Sequence, residues 1–355
     1  MVGRQCGQWP PADSEPIHEY MTRSRRFALE AATGLCALAC GTSPTSPGTS
    51  TPPAPTPPGA ALVFSVSPIP TAAIEFITPL GNLNPPDHTF PTDHIYFYYR
   101  LFHPAAPAYE VQAPAAGTVV SIVQHGDQKI SVRAATNQTY YLDHITLDPP
   151  IVQNATIVAG QRLGVTSGRS FGIDLGVVNS SVTLGFINPA RYGDDSLHAD
   201  MPLKYFDDPL RSTLYGFVQR SGPDKDGQVC FDRAGTLAGN WFLDSLPVSE
   251  SSVFGAGPMQ IAFVRDPNDP SQPRVSIGGT LAMTGIFGIA AGQDPGTVTP
   301  STGLVEYQLS PLAFGSPPGI LLARMTANDV VRLEAIPGAT PGLSSFTTSA
   351  RSYVR

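Results

Sequence analysis

The chain has 355 residues, a formal net charge of −7 and only 14% charged residues, with acidic and basic side chains dispersed along its length. No basic stripe is present to follow a phosphate backbone, so nucleic acid is not an expected partner. Its 34 glycines and 37 prolines suit a loop-rich, mainly β protein outside the cytoplasm better than a helical one.

In chain order, residues 1 to 20 fit no part of a targeting signal, and Met21 reads as the true start. A basic run follows (Arg23, Arg25, Arg26), then an apolar stretch from Phe27 to Ala39, closed by Ala37-Leu38-Ala39-Cys40. A basic start, a short apolar middle and small residues before a cleavage point make an export signal, too short to span a bilayer. Because it ends on cysteine it resembles a bacterial lipoprotein signal, which implies lipidation of Cys40 and a membrane anchor. Glu30 within the apolar run and Ala37 in a place where leucine is usual depart from that pattern, and an ordinary cleaved signal or a buried helix is the alternative. Ser24-Arg25-Arg26 also loosely resembles a twin-arginine signal. Gly41 after the cysteine resembles outer-membrane sorting, so the expected location is the cell envelope, in the periplasm or at the outer membrane. Residues 41 to 60 are Thr, Ser, Pro and Gly with two alanines, Ala54 and Ala60, and no charge. They read as a disordered tether with a reach on the order of 60 Å in extended polyproline form.

Beyond the tether the chain reads strand after strand. Short β-branched or aromatic runs lie at 72 to 78, 94 to 102, 117 to 124, 129 to 133, 138 to 142, 162 to 166 and 171 to 178, each closed by Gly, Asn, Asp or Pro. One helix is expected over 208 to 219, with Asp208 as its cap and Pro209 in its first turn. Strands resume at 228 to 232, 240 to 243, 260 to 265, 274 to 280, 305 to 309, 320 to 325 and 330 to 335. The expected organisation is one β domain over 61 to 195 and a β-rich accessory domain over 196 to 355. Past the leader only Cys40 and Cys230 remain, so with Cys40 lipidated no disulfide framework or cysteine zinc site is available. Cys230 reads as a small buried hydrophobe.

Chemistry-bearing residues concentrate in the first domain, where four histidines fall between His88 and His125. A hydrolytic zinc needs about three fixed N or O ligands and an open position for water. His88, Asp93, His94, His144 and Asp174 could supply that inventory. Tyr96, Tyr98, Tyr140 and Tyr141 could line a groove that binds glycan or peptide by stacking, although ordinary strand packing accounts for each singly.

The order of motifs resembles the lysostaphin-type zinc endopeptidases, which cut peptidoglycan cross-bridges. Val111-Gln112-Ala113-Pro114-Ala115-Ala116-Gly117-Thr118-Val119-Val120 is like that family's V-x-A-x-x-x-G-x-V strand pair. The Tyr-rich strand ending in His144-Ile145 is like its Y-x-H-L. Ile157-Val158-Ala159-Gly160-Gln161-Arg162-Leu163-Gly164 is like its V-x-x-G-Q-x-I-G. The resemblance spans roughly residues 74 to 180 and implies an antiparallel lysostaphin-like sheet.

The family's metal residues are mostly replaced. Its His-x-x-x-Asp falls on His94 to Tyr98, with tyrosine for the aspartate; if His88 is taken instead, Thr92 stands there. Its closing His-x-His falls on Gly172-Ile173-Asp174. His144 matches the other catalytic histidine, and Asp174 is a substitute ligand. One reading is therefore a degenerate domain without metal, and the other a rearranged zinc site.

The second domain offers Gly239-Asn240-Trp241-Phe242, which resembles the Gly-x-Trp start of lipocalin-like barrels, with Trp241 as a core anchor. Asp224-Lys225-Asp226-Gly227 reads as a turn and not as a calcium loop. Three functions compete. The first is a non-catalytic envelope lipoprotein that binds or positions peptidoglycan or an envelope protein, with no cofactor. The second is an active zinc metallohydrolase, and the third a lipoprotein whose barrel-like domain binds a small apolar ligand or a protein.

Overall fold

In the computed structural model, residues 61–253, 255–313 and 317–355 are described; the expected signal, Cys40 and the tether lie outside them. The chain forms two β bodies. The first is a ten-stranded sheet, and the second a closed barrel of eight strands. Among the described residues no helix is long and apolar enough to cross a membrane.

The sheet runs β1 (Phe76–Thr78), β2 (His94–Tyr98), β9 (Gly172–Asn179), β6 (Gln138–Leu147), β5 (Gln128–Ala135), β4 (Gly117–Gln124) and β7 (Thr156–Ile157). β3 (Glu110–Gln112) pairs with β8 (Arg162–Thr166), β8 with β6, and β10 (Ala199–Asp200) with β9. Every pairing is antiparallel. Alternation divides the strands between two faces. Ile95, Phe97, Ile130, Val132, Tyr140, Leu142, Ile173 and Leu175 are fully buried and build the core on one side. His94, Tyr96, Lys129, Tyr141 and Asp174 fall on the other.

Three expectations shift here: the strand set, the domain boundary and the helix length. The strand expected over 228 to 232 does not form, whereas β14 (Gly285–Ala291) and β18 (Arg351–Val354) arise where none was expected. The first body also extends past residue 195: β10 belongs to its sheet, and Leu203, Phe206, Leu214, Val218 and Val229 complete its core. The boundary therefore lies between Cys230, which packs on that core, and the first barrel strand at Gly239. The helix forms over Leu210–Gly216, shorter than expected. Asp208 accepts the Ser212 hydroxyl at 2.8 Å and also takes a hydrogen bond from the Ser212 backbone in the first turn. Cys230 is a free thiol that burial pushes up to about 11, in keeping with an inert packing role.

The barrel is up-and-down: β11 (Gly239–Leu243), β12 (Gln260–Arg265), β13 (Pro273–Ile277), β14, β15 (Val305–Ala313), β16 (Gly319–Ala327), β17 (Val330–Pro337) and β18, which closes on β11. Trp241, Phe263, Phe287, Tyr307 and Tyr353 share one buried cluster and fill the interior. Eight strands leave an interior about wide enough for side chains, and here side chains occupy it, which disfavours the apolar-ligand reading. The Arg355 guanidinium lies 3.9 Å from the centre of the Trp241 ring. It also donates to the backbone oxygens of Asn240, Arg233, Leu237 and Ala238.

Alternate residues of the same strands point outward and join the two bodies. Ala262, Val264 and Ile286 pack with Leu83, and Phe242 meets Phe90 edge-on at 4.9 Å between ring centres. The Thr89 hydroxyl donates to the Gly257 carbonyl at 2.8 Å. Leu83, Thr89 and Phe90 belong to the segment that leads into β2, so the barrel rests on the chain that delivers His94.

Candidate functional site

The polar face of the sheet gathers its titratable groups where β6 divides. Gln138 to Asp143 pair with β9, whereas Ile145 to Leu147 pair with β8. At the fork Lys129 alone opposes two residues, Asp143 and His144, because Gln128 pairs with Ile145 and Ile130 with Leu142. This bulge turns both side chains towards the same face. His144 takes the left-handed conformation (φ 62°), which for a residue with a Cβ costs on the order of 1–3 kcal/mol. Asp143 offsets part of that cost by accepting the His144 N–H at 2.7 Å.

Acid and imidazole then alternate in an unbroken line. Asp93 Oδ1 meets His94 Nδ1 at 2.8 Å, and His94 Nε2 faces Asp174 Oδ2 at 3.3 Å. The same Oδ2 faces His144 Nε2 at 3.5 Å, and His144 Nδ1 meets Asp127 Oδ2 at 3.0 Å. Asp127 Oδ1 lies 3.3 Å from His125 Nδ1, and His125 Nε2 lies 2.9 Å from Asp143 Oδ1. The inner end is buried, with the His94 and Asp174 side chains 9% and 4% exposed; the outer end is open, with His125 at 35%.

Burial alone would raise the Asp93 carboxyl, but hydrogen bonds from His94, Tyr141 and Ser196 outweigh it and hold the group well below the usual carboxylate range. Burial works to lower the His94 imidazole, yet the Asp174 and Asp93 charges prevail and raise it. The same contest, with Asp174, Asp143 and Asp127 as the acids, raises His144. Asp174 is raised because burial exceeds the pull of His94 and His144. Its Oδ1 oxygen is buried without a partner.

Of the sequence candidates, Asp93, His94, His144 and Asp174 come together. His88 does not join the line: its ring stands edge-on to His94 with centres 5.4 Å apart, and burial followed by repulsion from His94 pushes it down to about 4. The stacking groove is not formed as expected. Tyr140 lies on the opposite face, fully buried, with its hydroxyl on the Ala115 carbonyl at 2.8 Å. Tyr141 is buried and donates to Asp93 at 2.8 Å, and the Tyr96 hydroxyl sits 2.9 Å from His94 Nε2. Tyr98 stacks on Phe76 with ring centres 4.5 Å apart. These rings support the site and do not offer open faces.

The zinc implied by the family resemblance finds an incomplete donor set. His94 and Asp174 stand at two ligand positions, but Tyr98 at the third is held against Phe76, and burial raises its phenol far above the usual value, so it stays protonated. Asp174 Oδ2 already faces the Nε2 atoms of both His94 and His144. At Gly172 a Cβ would come within 2.8 Å of the Phe97 carbonyl oxygen, so a side chain there requires backbone movement. The residues present do not reproduce the three-ligand site.

Sequence reasoning missed Asp127, His125 and Asp143. Asp127 and His125 flank Gly126 (φ 107°) in the three-residue turn between β4 and β5. A His-Gly-Asp turn and an adjacent Asp-His pair were the available signals, but only the sheet brings them together.

No family model and no curated relative matches the chain. Among solved structures it is similar to Helicobacter pylori Csd3, at 13% identity over 41% of this chain and 33% of that one, with a TM-score of 0.28. It is also similar to pseudoalterin, an M23 metalloprotease from the deep sea, at 13% identity over 41% of this chain and 88% of that one, with a TM-score of 0.27. The solution structure of lysostaphin is similar at 10% identity over 74% of this chain and 80% of that one, with a TM-score of 0.24. The chain thus spans about a third of the length of Csd3. Likenesses this slight leave the chemistry to the residues themselves.

Proposed function

We propose that this is an envelope-anchored lipoprotein whose lysostaphin-like sheet domain is non-catalytic and binds or positions peptidoglycan or an envelope protein. One observation carries the reading: Asp174 Oδ2 lies 3.3 Å from His94 Nε2 and 3.5 Å from His144 Nε2. A metal can bind only ligands that have lost their protons, whereas the charge of Asp174 raises both imidazoles and so opposes that loss. Charge that an ion would otherwise balance is balanced within the side chains. The burial of His94 and Asp174 also leaves little room for a substrate to approach them.

The test combines sedimentation with isolated peptidoglycan and assay of released fragments. The reading expects the full-length protein to pellet with the wall and to release nothing. Release of soluble fragments that is lost with His94→Ala would overturn it.

The zinc-hydrolase reading keeps one observation in its favour. His94 and His144 each have Nδ1 against a carboxylate, the pattern that orients metal-binding imidazoles, and Asp174 Oδ1 is buried without a partner. Stoichiometric zinc lost with His94→Ala would favour it.

A further inference from the structure

We propose that His125, Asp127 and Asp143 form a divalent-cation site of the zinc class at the open end of the acid–imidazole line. One donor atom from each of the three lies within 4.8 Å of the other two. An imidazole with two carboxylates is a donor set that suits zinc and its first-row neighbours.

Three features prepare the place. First, the carboxylates are fixed from behind. Asp127 Oδ2 accepts from the Ser167 hydroxyl at 2.8 Å and faces His144 Nδ1 at 3.0 Å, while Asp143 accepts the His144 N–H at 2.7 Å. Outer partners of this kind hold ligands in orientation before the ion arrives. Second, both ring nitrogens of His125 face carboxylates, Nδ1 at 3.3 Å from Asp127 and Nε2 at 2.9 Å from Asp143. Each carboxylate thus stands beside a ring nitrogen able to act as a ligand atom. Third, His125 and Asp143 are 35% and 15% exposed at the side chain, against 5% for Asp127. Solvent can therefore reach the ion and fill its remaining positions. The Arg169 guanidinium lies near Gly126 on this turn and is the opposing charge.

The site meets the inner cluster through His144 but shares no ligand with it, and the experiment separates the two ends. Full-length protein is titrated with zinc chloride by calorimetry, and with cobalt chloride while its visible absorption is followed. One equivalent is expected to bind, at least tenfold more weakly in His125→Ala and in Asp143→Asn, and unchanged in His94→Gln. On the unmodified protein, zinc should shift the ring-nitrogen resonances of His125 and leave those of His94 in place, a result that does not depend on any variant folding. Absence of stoichiometric binding, or binding that survives His125→Ala, overturns the site while the non-catalytic reading stands. Binding lost only in His94→Gln overturns both.

Discussion

Asp174 Oδ2 on β9 lies 3.3 Å from His94 Nε2 on β2, and the two side chains are 4% and 9% exposed. A buried carboxylate and a buried imidazole at this distance neutralise each other, and each is costly without the other. Asp174→Asn is therefore expected to lower unfolding stability by about 2–4 kcal/mol, because His94 loses the charge that raises it. Urea denaturation measures this, and an unchanged midpoint would mean that the contact is not an ion pair.

Gly176 admits the Tyr141 ring. A Cβ at Gly176 would lie 2.1 Å from that ring, which crosses the strand to reach Asp93. Gly176→Ala should displace Tyr141, free an Asp93 acceptor and cost about 1–3 kcal/mol. Gly193→Ala, where a Cβ meets nothing within 4 Å, is the control and should be near neutral.

Two histidines shape the pH profile in opposite senses. His88 is pushed down to about 4, by burial first and then by the charges of His94, His144 and Lys129, against the pull of Asp93. Below about pH 6.5 the unfolded chain takes up a proton that folded His88 refuses. Stability should fall from there to about pH 4, by up to about 3 kcal/mol at 1.36 kcal/mol per pH unit. His94 is raised, so its contribution is complete below about pH 6.5 and is lost as pH rises through its folded value. His88→Asn should flatten the acid limb and His94→Gln the alkaline one. Denaturation midpoints across pH 4 to 9 decide it, and a flat acid limb in the unmodified protein would contradict the assignment.

Arg355 braces the barrel by stacking on Trp241 and bonding to four backbone oxygens, that of Leu237 included. Arg355→Ala should cost about 2–4 kcal/mol, and Arg355→Lys should recover little, because an ammonium neither stacks in a plane nor forks across several carbonyls. Thermal unfolding followed by Trp241 fluorescence reports on this end of the molecule. Full rescue by lysine would show that charge alone matters.

Much of the architecture was legible. β4, β8 and β12 span the residues that alternation and turn chemistry indicate. Trp241 anchors a core, and a barrel follows from the strand that carries it. The domain boundary was not legible, because residues 199 to 230 carry little regular structure of their own and are held by the sheet's core. The stacking role given to Tyr140 failed because one position of shift along β6 moves a ring to the opposite face.

The site divides along the same line. Residue type, read beside the resemblance to the lysostaphin-type family, singled out His88, Asp93, His94, His144 and Asp174 in the amino-acid sequence, because the ligand chemistry of a side chain is a local property. What those residues do depends on the fork in β6, where a bulge turns His144 towards Asp174 and sets Asp127 behind it. Electrostatic partnership depends on distances between strands remote in sequence. Only the folded sheet sets those distances, and with them whether a carboxylate receives a metal or a proton.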